Sequence, residues 1–451
     1  MVHKFRGGTA VGHEKHRTSG KPIEKLPMPA KLHIHLSQHT GAPAQPAVAA
    51  GDLVKKGQCL GTAHGMFSAA VHAPTSGKVA EIAEIAHPGG AKGRAVALEP
   101  DGNDAWLDGI PTSRDWHSLG AKEIAEIIQA SGIVGLGGAC FPTHVKLNPP
   151  DGTRIHTVLV NGAECEPFLT SDDAVMRAYP QDIVTGLEII LKVLDAKQAV
   201  IGVENNKPEA IAKLTEACKS VPNCRVERLP SRYPQGAERS LIKALVGSWL
   251  PAGKLPMTLG VLVQNVGTCV AITKAVTQGI PLIERVITVT GSAVREPKNV
   301  MAPIGTGWAD LLAFCGGATE DLGRLIMGGP MMGIAQNSVD LHMVKGSSGL
   351  LALRKVDVAP RTTGPCIRCG NCVNACPMGL APLVFPAMAR TRRWEDARTN
   401  RVLECIECGT CEYVCPASRP MVHSVKVIKA MLRKTSAAKP AEKPAEKTAS
   451  V

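Results

Sequence analysis

Eight of the fifteen cysteines in this 451-residue chain fall into two runs near its C-terminus. The first reads Cys366-Ile-Arg-Cys369-Gly-Asn-Cys372-Val-Asn-Ala-Cys376-Pro377, and the second reads Cys405-Ile-Glu-Cys408-Gly-Thr-Cys411-Glu-Tyr-Val-Cys415-Pro416. Both follow C-x2-C-x2-C-x3-C-P, the spacing with which three thiolates wrap one face of a [4Fe–4S] cube while the fourth reaches a second cube. Crossed ligation then assigns Cys366, Cys369, Cys372 and Cys415 to one cluster, and Cys376, Cys405, Cys408 and Cys411 to the other. Paired C-x2-C units also build zinc ribbons. Two complete runs, each with its trailing proline, favour iron and sulfide. The chemistry implied is one-electron carriage, so the remainder of the chain should supply a source or a sink.

A second stretch has the residue types for a phosphorylated cofactor. Gly132-Ile-Val-Gly135-Leu-Gly137-Gly138-Ala-Cys140-Phe141-Pro142-Thr143-His-Val-Lys146 clusters glycines where backbone must approach a ligand closely, and Lys146 adds a positive charge. Free amides in such a loop cradle phosphate. An apolar strand, Thr157-Val-Leu-Val160, then ends at Asn161-Gly-Ala-Glu164-Cys-Glu166-Pro. Polar residues at the carboxyl end of a strand are where open α/β sheets bind ligands. A lone glycine loop is equally a turn; the loop, the lysine and the Asn/Glu pair in series carry more.

The bulk composition bounds the rest. A chain of this length holds two to four domains. Hydrophobic residues make up 44% and aromatics 3%, so the cores are aliphatic. A net charge of +12 suits an acidic protein partner or an anionic membrane face; scarce stacking aromatics argue against nucleic acid. No apolar run reaches 18 residues, no signal peptide opens the chain, and the seven remaining cysteines lack pairing spacings, which fits a reducing cytoplasm.

In chain order, residues 1–21 read as a polar, extended N-terminal extension. Residues 22–110 read as short strands between Gly/Pro turns. Gly51-Asp-Leu-Val-Lys-Lys-Gly57-Gln-Cys-Leu-Gly61 and Ala73-Pro-Thr-Ser-Gly77-Lys-Val resemble the halves of a biotinyl/lipoyl-like barrel-sandwich domain. The hairpin between them, His64-Gly-Met66-Phe67, has no acceptor lysine, so a docking or structural role is expected. Residues 115–285 form the α/β cofactor domain, opening with a helix over Ala121–Gln129 that Ser118 should cap. Residues 286–345 read as strand, strand, helix (Trp308–Phe314), with Met327-Gly-Gly-Pro330-Met-Met-Gly333 as an apolar packing turn rather than a copper-binding Met box. Residues 350–434 form the cluster domain, helical over Ala381–Arg393 and beyond Pro420. Arg390, Arg392, Arg393, Arg398 and Arg401 form either a solvated face or a docking patch for an acidic carrier. The Lys/Pro/Ala/Glu tail at 435–451 should be disordered.

The cofactor motifs resemble those of the flavin- and NADH-binding subunit of respiratory complex I. Gly135-x-Gly137-Gly138-x-x-Phe141-Pro142-Thr143-x-x-Lys146 and Asn161-x-x-Glu164-x-Glu166-Pro167 are joined by Tyr233-Pro-Gln-Gly236-Ala-Glu238 and by Asn265-Val-Gly-Thr268. The resemblance implies a Rossmann-like domain that binds FMN and NAD(H), followed by a β-grasp module. It places Gly135, Gly137, Lys146, Asn161, Glu164, Gly236, Asn265 and Thr268 at the flavin, and Phe141, Glu166 and Glu238 near the nicotinamide nucleotide, with Gly138 in the same cofactor-binding loop. It names no catalytic side chain. Ala163, Ala237 and Cys140 depart from that family's usual Asp, Glu and Gly, and Asn148-Pro-Pro150 replaces an expected aromatic, which weighs on the nucleotide more than on the flavin.

Eight cysteines in an α-helical two-cluster ferredoxin order, plus the N-terminal barrel-sandwich and the opening Phe5-x-Gly7-Gly8 and Gly20-Lys-Pro-Ile-Glu24, resemble the RnfC (RsxC) family of Rnf electron-transport complexes. That family implies a peripheral electron-entry protein on the cytoplasmic face of a bacterial inner membrane. Its partners there are Rnf components of the A, B, D, E and G type and ferredoxin or another acidic redox protein. The alternative is a non-enzymatic iron–sulfur relay fed by another protein.

Overall fold

The computed structural model describes residues 2–358 and 362–437. The chain divides into two compact units, one built from residues 2–5 and 10–358, the other from residues 6–9 and the segment beyond 361. Each is described by itself.

In the first unit, Leu32–His35, Lys92–Pro100, Gly77–Ala86 and Leu53–Val54 form an antiparallel sheet in that order, and Gln45–Pro46, Cys59–Thr62 and Val71–His72 form a second. Alternation explains the core: Leu32, Ile34, Leu60, Val71, Val79, Val96 and Leu98 point inward from short strands and are fully buried. At the lysine-free hairpin Met66 and Phe67 stay exposed. This tip reaches the glycine loop. The Phe67 ring meets the Phe141 ring edge-on at 5.9 Å, and His144 Nε2 lies 3.1 Å from the Met66 carbonyl. The Thr40 amide donates to the Cys140 carbonyl at 3.0 Å.

The cofactor domain is a four-stranded, all-parallel sheet in the order Cys224–Leu229, Gln198–Glu204, Thr157–Gly162, Val261–Asn265. Both faces are covered over its inner strands, which are near-continuous apolar runs, while the edge strand Cys224–Leu229 carries Arg225, Glu227 and Arg228. Val158, Val160, Ile201 and Leu262 face helices Ala121–Ala130, Pro180–Leu194, Pro208–Ala217 and Val266–Gln278. Leu159, Val200, Val261 and Val263 face helix Glu238–Val246. The chain runs outward from Thr157–Gly162 in one direction and then returns to its other side with Val261–Asn265. The sheet therefore has a topological switch point between these two strands, and Asn161 and Asn265 are paired there in register. The expected cap of the first helix is corrected: the Glu123 carboxylate accepts from the Gly120 amide at 2.7 Å, while the Ser118 hydroxyl donates to Asp115 instead.

A six-stranded mixed sheet follows, ordered Ile23–Lys25, Lys298–Pro303, Glu284–Thr290, Gly349–Arg354, Leu322–Met327, Ile334–Gln336. It differs from expectation at two strands, one at its edge and one in its interior. Ile23–Lys25 pairs in parallel with Lys298–Pro303 rather than with the barrel strands, and Gly349–Arg354 lies within this sheet, past the expected limit at 345. Strand patterns alone do not name their neighbours, and both segments pair across long sequence separations. The N-terminal extension is also not simply extended: Lys15–Arg17 form a 3-10 turn and Thr18 is fully buried.

The second unit is helical: Asn371–Ala375, Phe385–Arg390, Trp394–Thr399, Thr410–Tyr413 and Met421–Ala437. Phe385, Ala397, Val402, Val425, Ile428 and Leu432 form its core. The single helix expected over Ala381–Arg393 is broken into a 3-10 turn, Pro382–Val384, and a helix that stops at Arg390, with Arg392 in the left-handed region (φ 55°). Residues 435–437 continue the last helix rather than starting the tail; the rest of the expected tail lies outside the described residues. Among the described residues no helix is long and apolar enough to cross a membrane.

Candidate flavin and iron-sulfur sites

The two cysteine runs fold as a repeat. Arg368 and Glu407 take the same left-handed conformation (φ 56° and 57°), as do Gly370 and Gly409 (φ 79° and 77°), and each glycine opens a short helix that carries the next cysteine. The local turns put three thiols of each run on one side of a hollow. The fourth comes from the other run. Cys366, Cys369, Cys372 and Cys415 line one hollow with Leu383 and Met421. Cys376, Cys405, Cys408 and Cys411 line the other with Phe385 and Val425. Electrostatics repeats the partition: Cys415 raises the Cys372 thiol, whereas Cys376 raises Cys405, Cys408 and Cys411. Burial is the larger cause in every case, pushing Cys405 up to about 11. Such thiols ionise when metal replaces the proton. Among the described residues no three ligands converge on a point the size of one ion; each hollow is lined by four thiols. Helix Met421–Ala437 underlies both hollows. Lys429 ties it to the second run, donating to the Cys405 carbonyl at 2.6 Å and to Glu407 at 2.7 Å.

The other expected residues gather at the switch point. The Gly135 amide donates to the Phe141 carbonyl at 2.9 Å, closing the glycine loop on itself. The Leu136 amide donates to Thr268 Oγ1 at 2.9 Å, fixing that loop to helix Val266–Gln278. A Cβ on Gly137 would sit 3.4 Å from Asn265, so the loop lies against the strand end. Gly138 is exposed at φ 108° with open space before it. Asn265 caps the helix, its Oδ1 accepting from the Gly267 amide at 2.9 Å, while Nδ2 donates to Asp172 at 2.9 Å. Across the sheet register, Asn161 Nδ2 donates to the Gly236 carbonyl at 2.9 Å, which brings in the Tyr233–Glu238 segment. Lys146 Nζ donates to the Val263 carbonyl at 3.1 Å. Burial holds Lys146 below the ordinary lysine range, and Glu238, at the start of its helix, acts against that. Glu164 is buried and accepts from the Asp172 amide at 2.8 Å and from Ser171 Oγ at 3.2 Å.

Glu166 and Phe141 are placed differently from an open nucleotide cleft. The Glu166 carboxylate accepts from the amides of Met331 (3.1 Å) and Met332 (2.8 Å), so it is committed to the Met327–Gly333 turn. One edge of Phe141 is taken by Phe67.

Three residues escaped the sequence reading. Lys15 from the N-terminal extension is half-buried, and its Nζ donates to the carbonyls of Glu164 (2.9 Å), Glu166 (2.9 Å) and Leu169. Nothing local marks a lysine whose partners lie about 150 positions away. Gln235 and Gln264 are fully buried with both amide atoms unpartnered. Buried amides of this kind call for a partner. Their signal was their place, one within Tyr233-Pro-Gln-Gly236 and one directly before Asn265. Among the arginines, Arg393 pairs with Asp396, Arg398 with Glu395 at 3.0 Å and Arg401 with Glu404 at 2.7 Å, as a solvated helical surface does.

Four family models match the chain: the RnfC barrel sandwich hybrid domain over residues 3–103, the Nuo51 FMN-binding domain over 128–274, the SLBB domain over 286–335 and the 4Fe-4S dicluster domain over 365–419. Together they define a modular redox protein with an FMN-binding domain and two [4Fe–4S] clusters. Curated relatives narrow this, each of them the C component of its complex. That of the proton-translocating ferredoxin:NAD(+) oxidoreductase complex of Clostridium ljungdahlii is 47% identical over 95% of this chain and 94% of its own. That of the ion-translocating oxidoreductase complex of Rhodobacter capsulatus is 42% identical over 95% and 83%. That of the Na(+)-translocating ferredoxin:NAD(+) oxidoreductase complex of Acetobacterium woodii is 40% identical over 94% and 96%. The chain belongs to this family, the RnfC components of ion-translocating oxidoreductase complexes. A crystal structure of NAD+-reducing [NiFe]-hydrogenase in the air-oxidized state has a like fold, with a TM-score of 0.50 at 16% identity over 74% of this chain and 65% of that one.

Proposed function

We propose that this chain is the electron-entry component of a membrane-bound, ion-translocating complex, passing electrons between NADH, FMN and two [4Fe–4S] clusters. The observation that carries the reading is the convergence of the glycine loop, Lys146, Asn161 and Asn265 on the switch point of a parallel sheet, in one chain with two four-cysteine hollows. We read the sheet as a Rossmann-like flavin domain. FMN supplies two-electron to one-electron conversion when bound, and the clusters carry single electrons. The loop amides around Gly135, Gly137 and Gly138, with the capped start of helix Val266–Gln278, favour the phosphate. Lys146, Asn161, Gly236, Gln235 and Gln264 meet its polar atoms. Glu164 and Thr268 hold Asp172 and the loop in position. Crossed ligation by Cys366, Cys369, Cys372 and Cys415, and by Cys376, Cys405, Cys408 and Cys411, keeps the cubes adjacent. The partners are the other components of the complex and ferredoxin or another acidic carrier. The chain lies peripherally on the cytoplasmic face of the membrane.

A second reading has one observation in its favour. Glu166 is spent on the amides of Met331 and Met332 and Phe141 is part-covered by Phe67, so a protein donor could replace NADH. An anaerobic NADH titration followed by absorbance and EPR separates the two. Flavin bleaching with reduced-cluster signals supports direct entry from NADH. Clusters reducible by dithionite while NADH leaves the flavin oxidised would move the chain to the second reading. Absence of flavin after reconstitution would overturn the flavin site.

A further inference from the structure

The edge strand of the parallel sheet opens with a cysteine, and the helix before it ends beside another. Cys218 follows helix Pro208–Ala217, and Cys224 is the first residue of strand Cys224–Leu229. The intervening Lys219-Ser-Val-Pro-Asn223 turns the chain back, with Asn223 in the left-handed region at φ 57°. The two sulfurs lie 2.9 Å apart, closer than non-bonded sulfurs ordinarily pack. Cys218 is buried and Cys224 half-buried, so solvent reaches the pair through Cys224. Cys224 pairs with Ala199 at the amino end of the sheet, opposite the end that carries Asn161 and Asn265. The pair is thus separate from both cofactor regions and has no part in the function proposed above.

We propose that Cys218 and Cys224 form a reversible redox-modification site, oxidised to a disulfide by exchange with a low-molecular-weight disulfide of the glutathione class. With Cys218 ionised, Cys224 passes its proton to the contacting Cys218 sulfur as it attacks the external disulfide, giving a mixed disulfide and one small thiolate that takes up the proton Cys218 first gave to solvent. Cys218, already in contact, attacks the Cys224 sulfur and releases the second. One sulfur–sulfur bond forms in the protein and one breaks outside it. Two electrons pass to the external disulfide, and the two protons leave on the released thiols. The Cys224 thiol donates to Cys218, which holds Cys218 below the usual thiol range and Cys224 above it. The hydrogen bond thus makes Cys218 the acceptor of the Cys224 proton in the first step, and Cys218 gives that proton to the leaving thiolate in the second. The product joins the helix end to the start of a strand with one sheet neighbour, where fraying begins.

Trypsin separates the two cysteines, since Lys213, Lys219 and Arg225 bound the peptides Leu214–Lys219 and Ser220–Arg225. The full chain, with flavin and clusters in place, is incubated anaerobically with oxidised glutathione, alkylated, digested and mass-analysed. The expected result is one species in which the two peptides are joined, at about 2 Da below their summed reduced masses, and which dithiothreitol separates. The Cys218→Ser variant should instead stop at the Cys224–glutathione mixed disulfide. Recovery of both peptides alkylated, or of each carrying glutathione separately, would overturn the proposal. A melting midpoint that rises on oxidation of the wild type but not of Cys218→Ser is the second expected result, and equal rises in both would also count against it.

Discussion

At the scale of single residues, the cofactor domain depends on half-buried lysines whose partners are main-chain oxygens. Lys146 reaches the carbonyl of Val263 in the middle of strand Val261–Asn265 and is desolvated there. A charge-assisted contact of this kind is worth about 1.5–3 kcal/mol, so Lys146→Ala is expected to weaken FMN binding roughly tenfold or more, with iron and sulfide content unchanged. Full flavin occupancy in that variant would remove Lys146 from the site. Lys15 acts on the loop instead, holding the carbonyls of Glu164, Glu166 and Leu169 together. Lys15→Met leaves these acceptors without their donor and should cost about 3 kcal/mol in denaturant unfolding; a loss within error of zero would show that the N-terminal segment contributes nothing there. Glu166 gives a pH signature. Burial pushes its carboxyl up to about 7, against the two methionine amides and Lys15. The folded value exceeds the unfolded one of 4.5, so the stability this group adds is full below pH 4.5 and is lost as pH rises through 7. Glu166→Gln lacks that loss. The melting-temperature difference between Glu166→Gln and wild type should therefore grow in favour of the variant from about pH 5 to about pH 8. A constant difference would exclude the raised carboxyl.

At the scale of elements, the switch point is held by one close helix crossing. A Cβ on Gly186 of helix Pro180–Leu194 would fall 2.1 Å from the Cys269 carbonyl of helix Val266–Gln278. Backbone cannot yield as a side-chain tip can. Gly186→Ala should cost about 1–3 kcal/mol. It should also lower flavin affinity, because the displaced helix carries Thr268 and is capped by Asn265. Retained stability with weaker flavin binding would point to a tilt of the helix rather than a loss of packing. The elements also show what a sequence makes legible. Thr157–Val160 and its polar end were readable because a strand buried on both faces is an unbroken apolar run. The sheet to which Ile23–Lys25 and Gly349–Arg354 belong was not, since short strands take their identity from distant partners. Ser118 was a plausible cap by residue type, yet the Glu123 carboxylate reaches the first free amide of the helix from within. Lys15 was illegible for the reason the two strands were: its partners lie far along the chain.

At the scale of the whole chain, the cluster unit is one motif used twice, with the last thiol of each run lining the other run's hollow. The spacing alone allows a simpler arrangement in which each run keeps its own four thiols. The folded unit separates Cys376 from its run and sets it beside Cys405, Cys408 and Cys411, while Cys415 joins Cys366, Cys369 and Cys372. Paired substitutions distinguish these arrangements better than single ones. Cys369→Ser with Cys376→Ser alters one run but both hollows, and it should abolish both clusters, taking iron from about eight atoms per chain toward zero. Cys376→Ser with Cys408→Ser alters both runs but one hollow, and it should spare a cluster, leaving about four iron atoms and a single reduced-cluster EPR signal. Uncrossed ligation predicts the reverse: the first pair would spare a cluster and the second would destroy both. Measuring iron, sulfide and EPR on the two double variants therefore tests the exchange that makes the two runs a single folded unit.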